Sequence, residues 1–202
     1  MIALVDYGAG NLASVRKALR ACGADVFEPA APAELDGAAA IVLPGVGHFA
    51  ATASLDESWR SAIRRRLEAG VPFLGICLGM QWLFEGSDEA PDVAGLGWLP
   101  GRITRLPDRT PEGGRLKVPH AGWNVARATA RSPVPGLQDG AYFYFTHAYA
   151  APVTGATAAT TMYGSPFASA VRRGLVCGVQ FHPEKSGAAG LAVLGAFVGG
   201  VR

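Results

Sequence analysis

Charge is scarce in this chain. Only 17% of its 202 residues are Asp, Glu, Lys or Arg, and half are hydrophobic. Disordered chains show the opposite balance, so a folded protein with a sizeable core is expected. Basic clusters are also lacking. The net charge is +2, and there is no basic block beyond Arg64-Arg65-Arg66. That triplet lies in a stretch that reads as a helix, where a solvated face is expected, and nucleic-acid binding is disfavoured. Cysteines number three: Cys22, Cys77 and Cys177. An odd count without a C-x-x-C pair speaks against a disulfide scaffold or a zinc site, and it fits a reducing cytoplasm. No apolar run is long enough to span a bilayer. Met1-Ile-Ala-Leu-Val-Asp6 lacks the basic and long apolar segments of a signal peptide and reads as a first strand. Repeats and low-complexity linkers are absent, so residues 1–202 are expected to form one domain.

What is present alternates. Strands are expected at Met1–Val5, Ala24–Phe27, Ala38–Leu43 and Val71–Ile76. Helices are expected at Leu12–Cys22, with Asn11 as N-cap and Gly23 closing it, and at Phe49–Glu68. This order predicts a mostly parallel sheet covered on both faces, with ligands gathered at the strands' carboxyl ends. The second half differs. Pro91–Pro135 reads as hairpins and loops, and Tyr142–Tyr149, Thr157–Met162, Phe167–Val171 and Leu175–Phe181 read as further strands. Gly187–Val198 reads as a closing helix.

The most informative stretch is Val71-Pro-Phe-Leu-Gly-Ile-Cys-Leu-Gly-Met-Gln-Trp-Leu-Phe84. An apolar strand, a turn flanked by Gly75 and Gly79, and a helix from Met80 form the layout of a nucleophile elbow with cysteine as nucleophile. A helix N-terminus favours thiolate over thiol. Taken alone, the pattern fits a buried small hydrophobe equally well. A cysteine nucleophile needs a base, held in one tautomer by a carboxylate. His182-Pro183-Glu184 ends a later strand and supplies both, since residues i and i+2 of an extended chain face the same side. Pro44-Gly45-Val46-Gly47 adds a turn whose backbone N–H groups suit an oxyanion hole. The three elements together disfavour the inert reading of Cys77.

These stretches resemble the class I, or triad, glutamine amidotransferases over nearly the whole chain. The matching segments are Asp6-Tyr-Gly-Ala-Gly-Asn11, Leu43–Gly47, Gly75–Gln81, Pro119-His-Ala-Gly-Trp-Asn124, Tyr144–Tyr149 and Gln180–Ser186. The resemblance implies a three-layer α/β fold, with antiparallel strands added in the second half and no cofactor or metal. It implies that Cys77 attacks the glutamine side chain, with His182 and Glu184 completing the triad. The oxyanion would rest on backbone N–H groups of Leu78 and of the Gly45, Val46 and Gly47 turn. Gln81, Glu89 and the His147, Ala148 and Tyr149 strand look like glutamine-binding positions. Two departures stand out: Ala148 where the family often has Ser, and Ala121 where Met is common. The Asp-Tyr-Gly and Gly-Trp-Asn segments most resemble glutaminase subunits that pass ammonia to a (β/α)8-barrel cyclase subunit in histidine biosynthesis. Asn11, Trp123 and Lys185 would then lie at the partner interface, although Trp123 reads equally well as core packing. Nucleic acid and membrane are not expected as partners. The rival readings are a glutaminase subunit of a pyridoxal phosphate or anthranilate synthase, and a stand-alone Cys-His hydrolase of γ-glutamyl substrates.

Overall fold

The computed structural model describes residues 1–129 and 133–201. Residues 130–132, part of the expected Pro91–Pro135 loop stretch, and residue 202 lie outside the described residues. The chain opens with β1 (Ile2–Leu4), α1 (Leu12–Ala21), β2 (Val26–Phe27) and β3 (Ala40–Gly45). α2 (Glu57–Glu68), β4 (Phe73–Cys77) and α3 (Leu78–Gln81) follow. The short strands β5 (Gly86–Ser87), β6 (Ala90–Ala94) and β7 (Arg102–Arg105) lead into β8 (His120–Ala128), β9 (Ala141–His147) and β10 (Tyr149–Ala150). β11 (Thr157–Tyr163), β12 (Ser165–Arg173), β13 (Val176–Val179) and α4 (Gly187–Gly199) close the fold.

Nine strands form one sheet in the order β2-β1-β3-β4-β13-β12-β11-β8-β9. The pairings from β2 through β13 are parallel. Those from β13 to β9 are antiparallel. The remaining strands form a second sheet, β10-β7-β5-β6. Side chains of the parallel strands alternate between two buried layers. Leu4, Val42, Leu74 and Ile76 pack with Val15, Leu19, Val193 and Leu194 of α1 and α4. Ala3, Val5, Ile41, Leu43 and Phe73 pack with Ile63 and Leu67 of α2. A parallel strand buried on both faces reads as a continuous apolar run for this reason.

Three expectations change. The helix expected over Phe49–Glu68 is two helices, a 3-10 turn at Phe49–Ser54 and then α2. Asp56 makes the break, because its carboxylate accepts from the N–H groups of Ser58 and Trp59 and so starts a new helix. The arginines of α2 are not merely solvated. Arg60 and Arg64 donate to the carbonyls of Gly95 and Leu96, and Arg66 to that of Ala38 at 2.7 Å. The Trp123 region, expected within loops and short hairpins, is a nine-residue strand, because β8 pairs along its length with β9.

Candidate active site

β3, β4 and β13 are neighbours, so their carboxyl ends meet at one sheet edge. Cys77 is the last residue of β4 and pairs with Gly45 of β3. Its backbone sits at φ 54° and ψ −106°, the only positive φ outside glycine among the described residues. Such a conformation costs about 1–3 kcal/mol and persists only where the surroundings enforce it. They do so here through two close approaches. A Cβ on Gly75 would lie 2.6 Å from the Gly79 carbonyl oxygen, and one on Gly79 would overlap the Leu43 carbonyl oxygen. The elbow is therefore as expected, but its helix is a single turn. α3 ends at Gln81, and Trp82, Leu83 and Phe84 turn into the core with no accessible surface. A one-turn helix offers little dipole, so the environment of the thiol rests on its side-chain neighbours.

β13 carries those neighbours in. Gln180 and His182 follow its end, on the same side of the chain, with Phe181 pointing the other way and stacked on Phe143 at 3.9 Å. His182 Nδ1–H donates to Glu184 Oε1 at 2.9 Å, and both side chains are almost fully buried. This bond fixes the tautomer and leaves Nε2 for chemistry. Nε2 makes no hydrogen bond within the described residues. Burial pulls the His182 pKa down. Hydrogen bonding and charge from Cys77 and Glu184 outweigh it and raise the value from 6.5 to about 9. The imidazole is thus charged at neutral pH. Burial pushes Cys177 up to about 11 and raises Cys22 as well, so neither is a thiolate near neutrality.

In front of Cys77 lies a pocket lined by Gly47, Leu78, Gln81, Glu89 and residues 146–149. Of the expected oxyanion groups, Leu78 and Gly47 line the pocket, whereas Gly45 and Val46 do not. The buried Gln81 donates to the Tyr149 carbonyl at 2.9 Å. Glu89 accepts from the Phe49 N–H at 2.8 Å, which holds the carboxylate at the wall. Ala148 lines the pocket, and its carbonyl accepts from the Leu106 N–H at 2.8 Å.

Of the three expected interface residues, Asn11 caps α1 through the Ser14 N–H. Trp123 is 56% exposed, so the core reading of that residue falls. It lies edge-on to Tyr144, and the exposed Lys185 amine stands 6.0 Å from the same ring. This patch is tied to the His182 segment, since the Tyr144 carbonyl accepts from the His182 N–H at 2.9 Å. The sequence assigned no role to Gln180, Ser186 or His120, and gave His147 only a place in the expected glutamine-binding strand. Ser186 Oγ donates to the His182 carbonyl at 2.6 Å and accepts from the Tyr144 N–H. Its position four residues after His182 was the available signal. The two buried histidines bond to each other at 3.2 Å, and burial lowers His147 to about 3 and His120 to about 4.

The chain matches the family model described as glutamine amidotransferase class-I over residues 3–198. It is 47% identical over 202 residues to the imidazole glycerol phosphate synthase subunit HisH of Moorella thermoacetica, covering 96% of this chain and 91% of that one. It is also 47% identical to the HisH subunit of Thermococcus kodakarensis, with 96% and 97% covered. Among solved structures, PurLQS from Thermotoga maritima superposes with a TM-score of 0.76 at 18% identity, covering 100% of this chain and 98% of that one. A structure described as a glutamine amidotransferase gives 0.74 at 20% identity, with both chains fully covered. These two likenesses speak for the fold, and the family model and the relatives speak for descent. The chain belongs to the class-I glutamine amidotransferase family.

Proposed function

We propose that this chain is the glutaminase subunit of imidazole glycerol phosphate synthase. The observation that carries the reading is the strained Cys77 elbow, with the His182–Glu184 pair held at 2.9 Å and a polar pocket that Cys77 itself lines. The near full-length likeness to HisH subunits supports the choice of synthase.

Glutamine binds with its side-chain amide over Cys77. Gln81, Glu89 and the backbone of His147, Ala148 and Tyr149 hold its other end. The Cys77 thiolate attacks the amide carbon. The oxyanion that forms is held by the Leu78 N–H and by the Gly45–Gly47 turn. His182, kept charged by Glu184, gives its Nε2 proton to the leaving nitrogen, and ammonia departs. A glutamyl thioester remains on Cys77. His182 then takes a proton from water, the resulting hydroxide opens the thioester, and glutamate leaves with the thiolate and imidazolium restored.

Ammonia released into water is protonated and lost to chemistry, so it must pass to a synthase. The partner in this reading is the (β/α)8-barrel cyclase subunit of imidazole glycerol phosphate synthase, in the cytoplasm. It docks on the face that carries Trp123, Lys185 and Asn11. Residues 1–202 act as one amidotransferase unit. The test is glutaminase turnover with and without the cyclase subunit and its nucleotide ligand. The expected result is stimulation by both together and transfer of ammonia to the cyclase substrate. Equal turnover in every condition would count against the coupled subunit, and activity retained by Cys77→Ala would overturn the chemistry.

A further inference from the structure

Cys77 has a second polar neighbour besides His182. Gln180 is fully buried, and its Nε2 lies 3.5 Å from the Cys77 Sγ. The register explains the meeting. Val179 pairs with Ile76 across β13 and β4, so the next residues along, Gln180 and Cys77, stand side by side. Gln180 is absent from the wall of the pocket that Cys77 lines, so its amide meets the sulfur without occupying that pocket.

The orientation of the amide follows from its partners. An amide nitrogen and oxygen differ little in shape, so the hydrogen bonds must decide which is which. The Gln81 group that touches the Tyr149 carbonyl must be the NH2, because a carbonyl oxygen only accepts. That same NH2 lies 3.0 Å from the Gln180 side chain, so the Gln180 atom facing it is the oxygen. The NH2 of Gln180 therefore faces Cys77. The far end of the chain is also fixed. The Tyr149 carbonyl accepts from His147 Nδ1 at 2.9 Å, His147 Nε2 meets His120 Nδ1, and His120 Nε2 meets the Asn124 amide at 3.3 Å. A proton on His147 Nδ1 makes its Nε2 an acceptor. His120 must then donate from Nδ1 and accept from Asn124 at Nε2. Both histidines are neutral in this arrangement, and each amide and ring has one orientation.

We propose that Gln180 is a further residue of the reaction centre, donating an N–H···S hydrogen bond that stabilises the Cys77 thiolate, with Gln81 and the Tyr149 carbonyl locking the amide in the donating orientation. A thiolate accepts such a bond far more strongly than a thiol, as hydrogen bonds to charged groups generally do. With α3 only one turn long, this donor does part of what a helix N-terminus does elsewhere.

The test measures iodoacetamide alkylation of Cys77 against pH in the full chain, read on the Cys77 peptide by mass spectrometry. Gln180→Leu keeps the bulk and removes the donor. Its alkylation midpoint is expected to rise by about one pH unit, which is about tenfold less thiolate at pH values below the midpoint. An unchanged midpoint in folded Gln180→Leu would overturn the proposal, because a merely structural role lowers activity without moving it. If that variant does not fold, the wild type decides. The side-chain amide protons of Gln180, followed by NMR, are expected to titrate with the alkylation midpoint, and a flat response overturns the proposal. The inference rests on Cys77 being the nucleophile. Alkylation needs no amide substrate, so an unmoved midpoint with normal glutaminase activity sinks this inference and leaves the proposed function intact.

Discussion

Replacing Glu184 by Gln separates charge from geometry in the proposed triad. The carboxylate lies 2.9 Å from His182 Nδ1, with side-chain exposures of 2% and 1%. Glutamine keeps the size and an acceptor oxygen but not the charge. A hydrogen bond to a charged group contributes roughly 1.5–3 kcal/mol, against roughly 0.5–1.5 for a neutral pair. The difference, about 1.4 kcal/mol, corresponds to about a tenfold loss of turnover and to about one unit in the His182 pKa. The sign follows from linkage. The folded pKa of about 9 lies above the ordinary 6.5, so the stabilisation is fully present below 6.5 and is lost as pH rises through 9. Glu184→Gln therefore moves the alkaline limb of glutamate release downward by about one unit and lowers the thermal midpoint at pH 7. The assay is glutamate release from pH 6 to about 10 with cyclase and nucleotide ligand present, beside thermal unfolding. Turnover within about twofold of wild type and an unmoved alkaline limb would refute the role of Glu184.

Gly79→Ala puts a Cβ into the Leu43 carbonyl oxygen, a backbone atom of β3 that has no room to yield. It is expected to destabilise the fold by more than about 3 kcal/mol in urea titration, and near-native stability would show that the elbow can relax. The buried His147 and His120 have pKa values lowered to about 3 and about 4, so the stability they contribute is present above pH 6.5 and is lost as pH falls towards those values. Urea unfolding at pH 5 is expected to show a loss of about 1–2 kcal/mol per histidine relative to pH 7, and His147→Gln is expected to flatten that slope. Trp123→Ala removes an exposed ring, so stability should change by less than about 0.5 kcal/mol while affinity for the cyclase falls more than about tenfold. Unchanged affinity would move the docking face elsewhere.

The parallel half of the sheet and the pairing of His182 with Glu184 near the elbow were legible because their signals are local. An apolar run, two flanking glycines and a His-x-Glu each span a few residues. What escaped depends on distant partners. The expected helix through Phe84 stops at Gln81 because Trp82, Leu83 and Phe84 fill the core beneath the second sheet, and that burial outweighs helix propensity. Gln81 and Gln180 stand 99 residues apart, and only the pairing of β13 with β4 makes them neighbours. The arginines of α2 bond carbonyls some 28–35 residues away, which no charge pattern announces. Trp123 reads equally as core or interface until the faces of β8 are known, and the structure turns its ring outward.

The most direct test of the chemistry is to look for the intermediate. The chain, the cyclase subunit of the proposed synthase and the nucleotide ligand are mixed with glutamine, quenched in acid within one turnover, and digested for mass spectrometry. A single glutamyl group on the Cys77 peptide, absent in Cys77→Ala and accumulating when hydrolysis is slowed, is the predicted result. Glutamate formed with no glutamyl group at Cys77, or with the group on Cys22 or Cys177, would contradict it.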